Sequence, residues 1–431
     1  MFTPRALCDT SMASHACQTT MNAEHDSAEF SETQRYAPLV LNLGRALLHV
    51  GSPAHRLESA MQIMADRLGL KAEFFSTPTA LIVSLGDDRQ QQTFLVRSEP
   101  GSANLSKLAD LTAVMEELAD GSIEPETADE RVRAIDRAPP EYGWWSAIAA
   151  FTLIGGGIAS LLGGGWRETL LAAPLGAVAG LTVIWMRRHL ERSRLINPLA
   201  AALITFLGTL WCGFDAKTAL MPAIIAAMLP LLPGMDMTTA SRELATGHVV
   251  SGSSRMAFAV TIFALLAFGM VLGGMAGQAI VGPVDLVSPS TRPDWLPFAG
   301  VLAGALGLML LVQAHRRDWI WILIACLIAW AGANVGTHFE APVIGAFIGA
   351  LAIGMSGNLF VHFTRRPGSI MHIPGLILLV PGSIGMRSLA ALLGDDILSG
   401  IETAMLAGII AVALTTGMIL ASVLLPPRTT L

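Results

Sequence analysis

Charge is what this sequence has least of. Only 14% of its 431 residues are Asp, Glu, Lys or Arg, while 53% are hydrophobic. A soluble chain carries about a quarter charged residues, so the deficit argues against a wholly soluble protein and for one embedded in lipid. Cysteine is scarce as well. Cys8, Cys17, Cys212 and Cys326 are scattered, two of them within apolar segments, which excludes a disulfide framework and leaves no metal-ligand spacing. His15 beside Cys17 lacks the further ligands a metal needs, so neither a metal nor a cofactor is expected. The basic footprint of a nucleic-acid binder is missing too. Residues 1–34 lack the basic-then-apolar order of a secretory signal. They are polar and rich in Ser and Thr, and read as a disordered leader that leaves the following segment in the cytoplasm.

The remaining charge is unevenly spread. Residues 31–142 hold 11 Lys/Arg against 17 Asp/Glu, and the 289 residues from Gly143 onward hold 15 against 12. An acidic soluble head therefore precedes a low-charge, apolar body. In the head, Leu39, Leu43, Leu47 and Leu48 recur at helical spacing. "GSPAHRLESAMQIMADRLGL" follows as a helix, with Ser52 as N-cap, Pro53 in the first turn and Gly69 as its stop. "KAEFFSTPTALIVSL" and "QQTFLVR" are rich in β-formers, and "GDDRQ" between them suggests a hairpin. "NLSKLADLTAVMEELADG" reads as an amphipathic helix ending at Gly121, and a charged helix leads to Pro139-Pro140. These elements make a small α/β domain over 35–140.

Crossing ~30 Å of hydrocarbon takes roughly 20 apolar residues in a helix. Ten such segments follow, at 144–163, 169–187, 196–212, 217–233, 255–281, 296–314, 319–338, 342–362, 370–392 and 398–425. The pairs Gly176/Gly180, Gly300/Gly304 and Gly345/Gly349 read as close helix packing. With the head inside, the cytoplasmic side carries Arg187, Arg188, Arg192, Arg194, Arg242, Arg255, Arg316, Arg317, Arg365, Arg366 and Arg428, while the other side carries Arg167, Lys217, Arg292 and Arg387. Eleven against four is the bias expected of cytoplasmic loops. The C-terminus then lies inside as well.

A repeat runs through this body. The fourth segment ends in "LLPG" at Pro233-Gly234, and the ninth carries "LVPG" at Pro381-Gly382, 148 residues later. Each pair sits in the fourth segment of a five-segment block, and an odd number of crossings per block inverts the second copy. Two inverted five-helix repeats are thus expected, over 141–283 and 284–431, with broken helices at a shared site. After the first break comes "MDMTTASRELATGHVVSGSSR". As a helix it aligns Asp236, Thr239 and Glu243 on one face. Aligning the two Pro-Gly pairs sets Arg387 opposite Thr239 in the repeat. Carboxylates in one half and a guanidinium in the other are the two charges a zwitterionic amino acid needs. A cytoplasmic helix with solvated charges accounts for the same residues, and both readings stay open. Histidine is the side-chain type suited to proton coupling, which makes His248 a candidate, though a surface histidine would read the same way. Asp395-Asp396 reads as the solvated outer end of the ninth segment.

Taken together, "GSPAHRLESAM…LGL…FFSTPTALIVSL", "LLPGMDMTTASRELATGHVVSGSSRMAFA" and "LVPGSIGMRSL" resemble the threonine/serine exporter family over residues 36–425, in the order head, five-helix half, five-helix half. The resemblance implies an inner-membrane secondary exporter of small hydroxy amino acids driven by the proton gradient. Split-chain members have been linked to dicarboxylate export, so a succinate-like substrate is the alternative. The substrate site would comprise Pro233, Gly234, Asp236, Thr239, Glu243, Pro381, Gly382, Ser383 and Arg387, with Asp236, Glu243 and His248 as candidates for the proton. Its partners would be the amino acid, protons and the lipid bilayer, and a homo-oligomer stays open. A membrane-bound hydrolase built on His49, Ser52, His55 and Asp66 is the rival from another class, but no nucleophile elbow accompanies them. A ligand sensor in the head is a third reading, and it leaves the two matched breaks unexplained.

Overall fold

The computed structural model describes residues 35–86, 91–98, 103–187, 195–284, 287–339, 341–379, 383–386, 388 and 397–426. The leader at 1–34 with His15, Cys8 and Cys17, the "DDRQ" of the expected head turn, Pro381, Gly382, Arg387 and Asp395-Asp396 lie outside them. The chain divides into two compact units. One spans 1–101 with 113–137, and the other 102–112 with 138–430.

The first unit holds helix α1 over 35–49, α2 at Ala54–Arg67, strands β1 at Ala72–Thr77, β2 at Ala80–Leu85 and β3 at Gln92–Arg97, and α4 at Pro125–Arg137. Helix α3, Leu105–Ala119, contributes its second half. The strands form one antiparallel sheet in the order β1-β2-β3. The long stretch before "GDDRQ" is therefore two strands, where one arm of a hairpin was expected. The chain turns at Pro78-Thr79, because Pro presets the φ of a turn and removes a ladder donor. Alternation on β2 buries Leu81, Val83 and Leu85 on one face. There α1 lies so close that a Cβ on Gly44 would stand 2.4 Å from the Leu81 side chain. The other face presents Phe75, Ile82 and Leu95 to solvent, directly paired in register. Gly69 and Gly121 stop their helices at φ 68° and 73°, the left-handed cap glycine adopts without strain. The start of α2 differs from expectation. Pro53 itself is the N-cap, no side chain caps the helix, and the Pro53 carbonyl accepts from Arg56 and Leu57. Ser52 therefore does no capping.

The second unit is a helix assembly. Its helices are α5 Trp144–Leu161, α6 Trp166–Arg187, α7 Ile196–Phe214, α8 Leu220–Met228, α9 Gly234–Ala245, α10 Val249–Val281, α11 Leu296–Leu311, α12 Trp319–His338, α13 Pro342–Thr364, α14 Ser369–Leu379 and α15 Ile397–Leu424. Among the described residues, 8 helices are long and apolar enough to cross a membrane, or up to 9 if the broken pair counts as one span, and Leu296–Leu311 is a shorter apolar helix. All ten expected segments contain helix. The fifth begins at Val249, earlier than expected, because "VSGSSR" is too polar to read as apolar although its backbone is helical.

Small residues set the packing. A Cβ on Gly176 would meet the Phe151 carbonyl oxygen at 2.3 Å, one on Gly300 the Gly157 carbonyl oxygen at 2.5 Å, and one on Gly345 the Gly336 Cα at 2.9 Å. The glycine pairs are contact surfaces between helices, as expected. Neighbour relations recur along the chain. In the first set α5 packs on α6, α6 on α7, α7 on α10, and α8 on α5, α6 and α7. In the second, α11 packs on α12, α12 on α13, α13 on α15, and α14 on α11, α12 and α13. Helix for helix, these are the same pairings. The two sets meet where α5 packs on α11 and where α9 packs on α14 and α15.

Candidate functional site

The fourth apolar segment does break where the sequence places Pro-Gly. Helix α8 tightens into a 3-10 turn at Leu229–Leu231, Leu232 is extended, and α9 restarts from Pro233 with its axis turned by 58°. The Pro233 carbonyl accepts the Met237 N–H at 3.0 Å. The first turn of α9, with its orphan N–H groups, thus opens at the bend, and Asp236 sits in that turn. Alanine, isoleucine and methionine fill the helix before the break and hydroxyls and charges mark the helix after it, so the break divides an apolar half from a polar one.

On α9 the expected face is formed. Thr239 is buried, Glu243 is fully buried, and the Asp236 side chain is 36% exposed. Their partner was not legible in the sequence. Past Ala245 the chain turns at Gly247, φ 86°, and α10 runs back against α9. A Cβ on Gly252 would stand 2.9 Å from the Ala240 carbonyl oxygen, so only glycine allows this approach. It delivers Ser251 and Arg255, one helical turn apart, onto the acids. Arg255 donates from Nη1 to Asp236 Oδ1 at 3.2 Å, from Nε to Glu243 Oε2 at 3.3 Å and from Nη2 to Glu243 Oε1 at 3.5 Å. Ser251 Oγ donates to Glu243 Oε2 at 3.0 Å. Arg255 had counted only toward orientation. It is 15% exposed and bridges both carboxylates. Two acids sharing one guanidinium carry a net negative charge, and burial makes that charge unfavourable unless another cation or a proton joins it. An ammonium or a proton reaching Asp236 or Glu243 competes with Arg255 for the same oxygens.

His248 stands at the turn between the helices. Its N–H donates to the Glu243 carbonyl at 2.8 Å, and its Nδ1 meets the Thr246 hydroxyl at 3.1 Å. In the second set Ser383 is half-buried in a helical turn over 383–386. Helix α9 meets the second helix set on one apolar cluster. Met235, which follows the break, packs on Ala346, Ala350, Leu376, Ile410, Leu414 and Met418, as do Leu379 and Ile384 of the second set. The residues of the rival hydrolase reading take separate partners: His49 Nδ1 meets Asp136 Oδ1 at 2.8 Å, and Asp66 accepts from Gln62 at 2.8 Å.

Two family models, both described as threonine/serine exporters, match residues 38–276 and 298–424. The chain belongs to the threonine/serine exporter family. Among curated proteins it is similar to an uncharacterized protein of Schizosaccharomyces pombe, at 25% identity over 84% of this chain and 45% of that protein. It is also similar to pheromone-regulated membrane protein 10 of Eremothecium gossypii, at 28% identity over 81% and 48%, and of Saccharomyces cerevisiae strain YJM789, at 26% over 85% and 48%. The chain thus spans about half the length of these relatives. No solved structure matches it. Family and relatives together support a multi-pass membrane transporter.

Proposed function

We propose that this member of the threonine/serine exporter family is a secondary exporter of small hydroxy amino acids, L-threonine and L-serine, exchanged against protons across a bacterial inner membrane. It crosses ten times as two inverted five-helix repeats, with head and C-terminus in the cytoplasm. The observation that carries this reading is the pair of carboxylates on one guanidinium at the foot of a broken span. Asp236 and Glu243 take the substrate ammonium, Thr239 or Ser383 its hydroxyl, and Arg387 or the N–H groups opened at Pro233-Gly234 and Pro381-Gly382 its carboxylate. Ammonium and proton want the same carboxylate oxygens and cannot hold them together, which couples one flux to the other. His248, at the turn beside the acids, is the relay for the proton. Arg255 holds the carboxylates while neither is bound, so the site never carries two unpaired buried charges.

Counterflow of labelled L-threonine, L-serine and succinate in proteoliposomes, with and without a pH gradient, tests this. Threonine and serine counterflow that responds to the gradient is expected. Flux of succinate alone would replace the amino acid by a dicarboxylate, and flux of none of the three would overturn the export reading. Reporter fusions after residues 140 and 428 test the topology, and an outside signal at either point breaks the inversion.

A further inference from the structure

One cation on α9 stands outside the Arg255 network. Arg242 precedes Glu243, so it projects about 100° round the helix from it. Its Nε is buried and has no hydrogen-bond partner among the described residues. Guanidinium nitrogens in apolar surroundings are ordinarily matched to acids or carbonyl groups. Arg242 lies two turns beyond Met235 on the same face of α9, with Thr238 between them. Met235 packs on the cluster formed by α13, α14 and α15, so this face of α9 looks toward the second helix set.

Helix α15, which packs on α9, carries another orphan. Thr415 is 4% exposed, and its Oγ1 is buried without a hydrogen-bond partner among the described residues. A buried helical threonine normally gives its proton to the carbonyl four residues back. Thr182, Thr209 and Thr238 do so, and Thr415 does not. It adjoins Leu414, a member of the cluster that receives Met235.

We infer that Arg242 and Thr415 form a carboxylate subsite between the two helix sets, occupied by the carboxylate of the transported amino acid. A carboxylate has two oxygens and about four acceptor positions, enough for a guanidinium fork and a hydroxyl together. Arg242 and Glu243 are consecutive, so one turn of α9 offers both charges a zwitterion requires, directed to different sides. The inference rests on the export reading and deepens it, with Arg242 and Thr415 holding the carboxylate in place of Arg387 or the opened N–H groups.

The test measures binding of L-threonine and of L-threoninol, which keeps the ammonium and hydroxyl but has no carboxylate, to the purified full chain in detergent. Arg242→Gln is expected to weaken threonine by about thirtyfold or more and to leave threoninol unchanged. Thr415→Val is expected to weaken threonine alone, by about three- to tenfold. Arg242→Lys keeps the charge without the fork and falls between wild type and Arg242→Gln. Unchanged threonine affinity in Arg242→Gln, the result if a lipid phosphate occupies this guanidinium instead, overturns the inference and leaves the export reading standing. An equal loss for both ligands also overturns it, since a folding role would give that result. A wild-type chain that binds neither threonine nor serine removes the amino-acid reading and this subsite together.

Discussion

Arg167 and Asp215 join the start of α6 to the turn before α8, and Asp318 and Arg366 join the residue before α12 to the turn before α14. The partners are 48 residues apart in both cases. These are the same positions in the two helix sets, with the signs exchanged. The acid comes second in the first set and first in the second. A contact that survives reversal of its charges is held by its place in the fold, so both pairs read as staples that fix where the fourth helix of each set begins. The polar cluster behind the first break behaves differently. Asp236, Glu243 and Arg255 on α9 and α10 are matched by no acid-arginine-acid group among the described residues of the second set. The charges found in both sets read as scaffold, and the Asp236, Glu243 and Arg255 cluster is the place where we propose a ligand is recognised.

The two staples are not equally buried, which offers the sharpest way to probe the comparison. Asp318 is 1% exposed and is held by both ends of the Arg366 fork. Asp318→Asn should cost about 3–5 kcal/mol, because it leaves a partly buried guanidinium unpaired. Thermal unfolding of the purified protein measures this. A loss no larger than that of its counterpart in the first set would show that burial does not distinguish the two.

Next comes the unrepeated cluster. Asp236→Asn and Glu243→Gln should each lower threonine affinity by about thirtyfold or more, the usual result of truncating one member of a buried charge pair, with normal expression. If both carboxylates can be neutralised without changing flux or its pH dependence, the cluster is scaffold too and the comparison fails.

A smaller effect is expected at Asp215. The Thr218 hydroxyl first, and the Arg167 guanidinium with it, hold its carboxyl below the ordinary carboxylate range. A depressed folded-state pKa stabilises only while the group is ionised. The stability gap between wild type and Asp215→Asn should therefore be full above about pH 4, the unfolded value, and close as pH falls through the lower folded value. Melting temperatures across that window provide the check. A gap that widens on acidification would mean the pair is not what holds the loop.

The least perturbing test asks whether the staples lie on opposite faces of the membrane, as inversion requires. Lys217 and Arg316 are exposed beside them. On a cysteine-free background, Lys217→Cys should react with an impermeant thiol reagent in intact cells and Arg316→Cys only after lysis, with transport unchanged in both. Labelling of both from one side would end the inverted-repeat reading.

Much of this was legible in the sequence because membrane helices are a local property. Low charge and long apolar runs place helix in every expected segment, and glycine pairs announce close contacts, since neither depends on distant residues. The three-strand count is not legible from β-formers alone, because it turns on Pro78 presetting a turn inside one β-rich run. Arg255 was misread because the sequence treats a charge between two apolar runs as loop. A signal for it existed, though a weak one: Ser251 and Arg255 lie one turn apart, twelve residues or fewer beyond Glu243, across a glycine.

The sequence by itself determined the membrane class, the head, the position of the break at Pro233-Gly234 and the face shared by Asp236, Thr239 and Glu243. All of these follow from composition, helical period and the backbone limits of proline and glycine. Only the tertiary structure decided which charges neutralise one another. The Glu243 contact to Arg255, the Asp318 pair with Arg366, and the isolation of Arg242 depend on how closely separate helices approach. That approach is set by glycines whose missing Cβ atoms matter only once a second backbone stands against them.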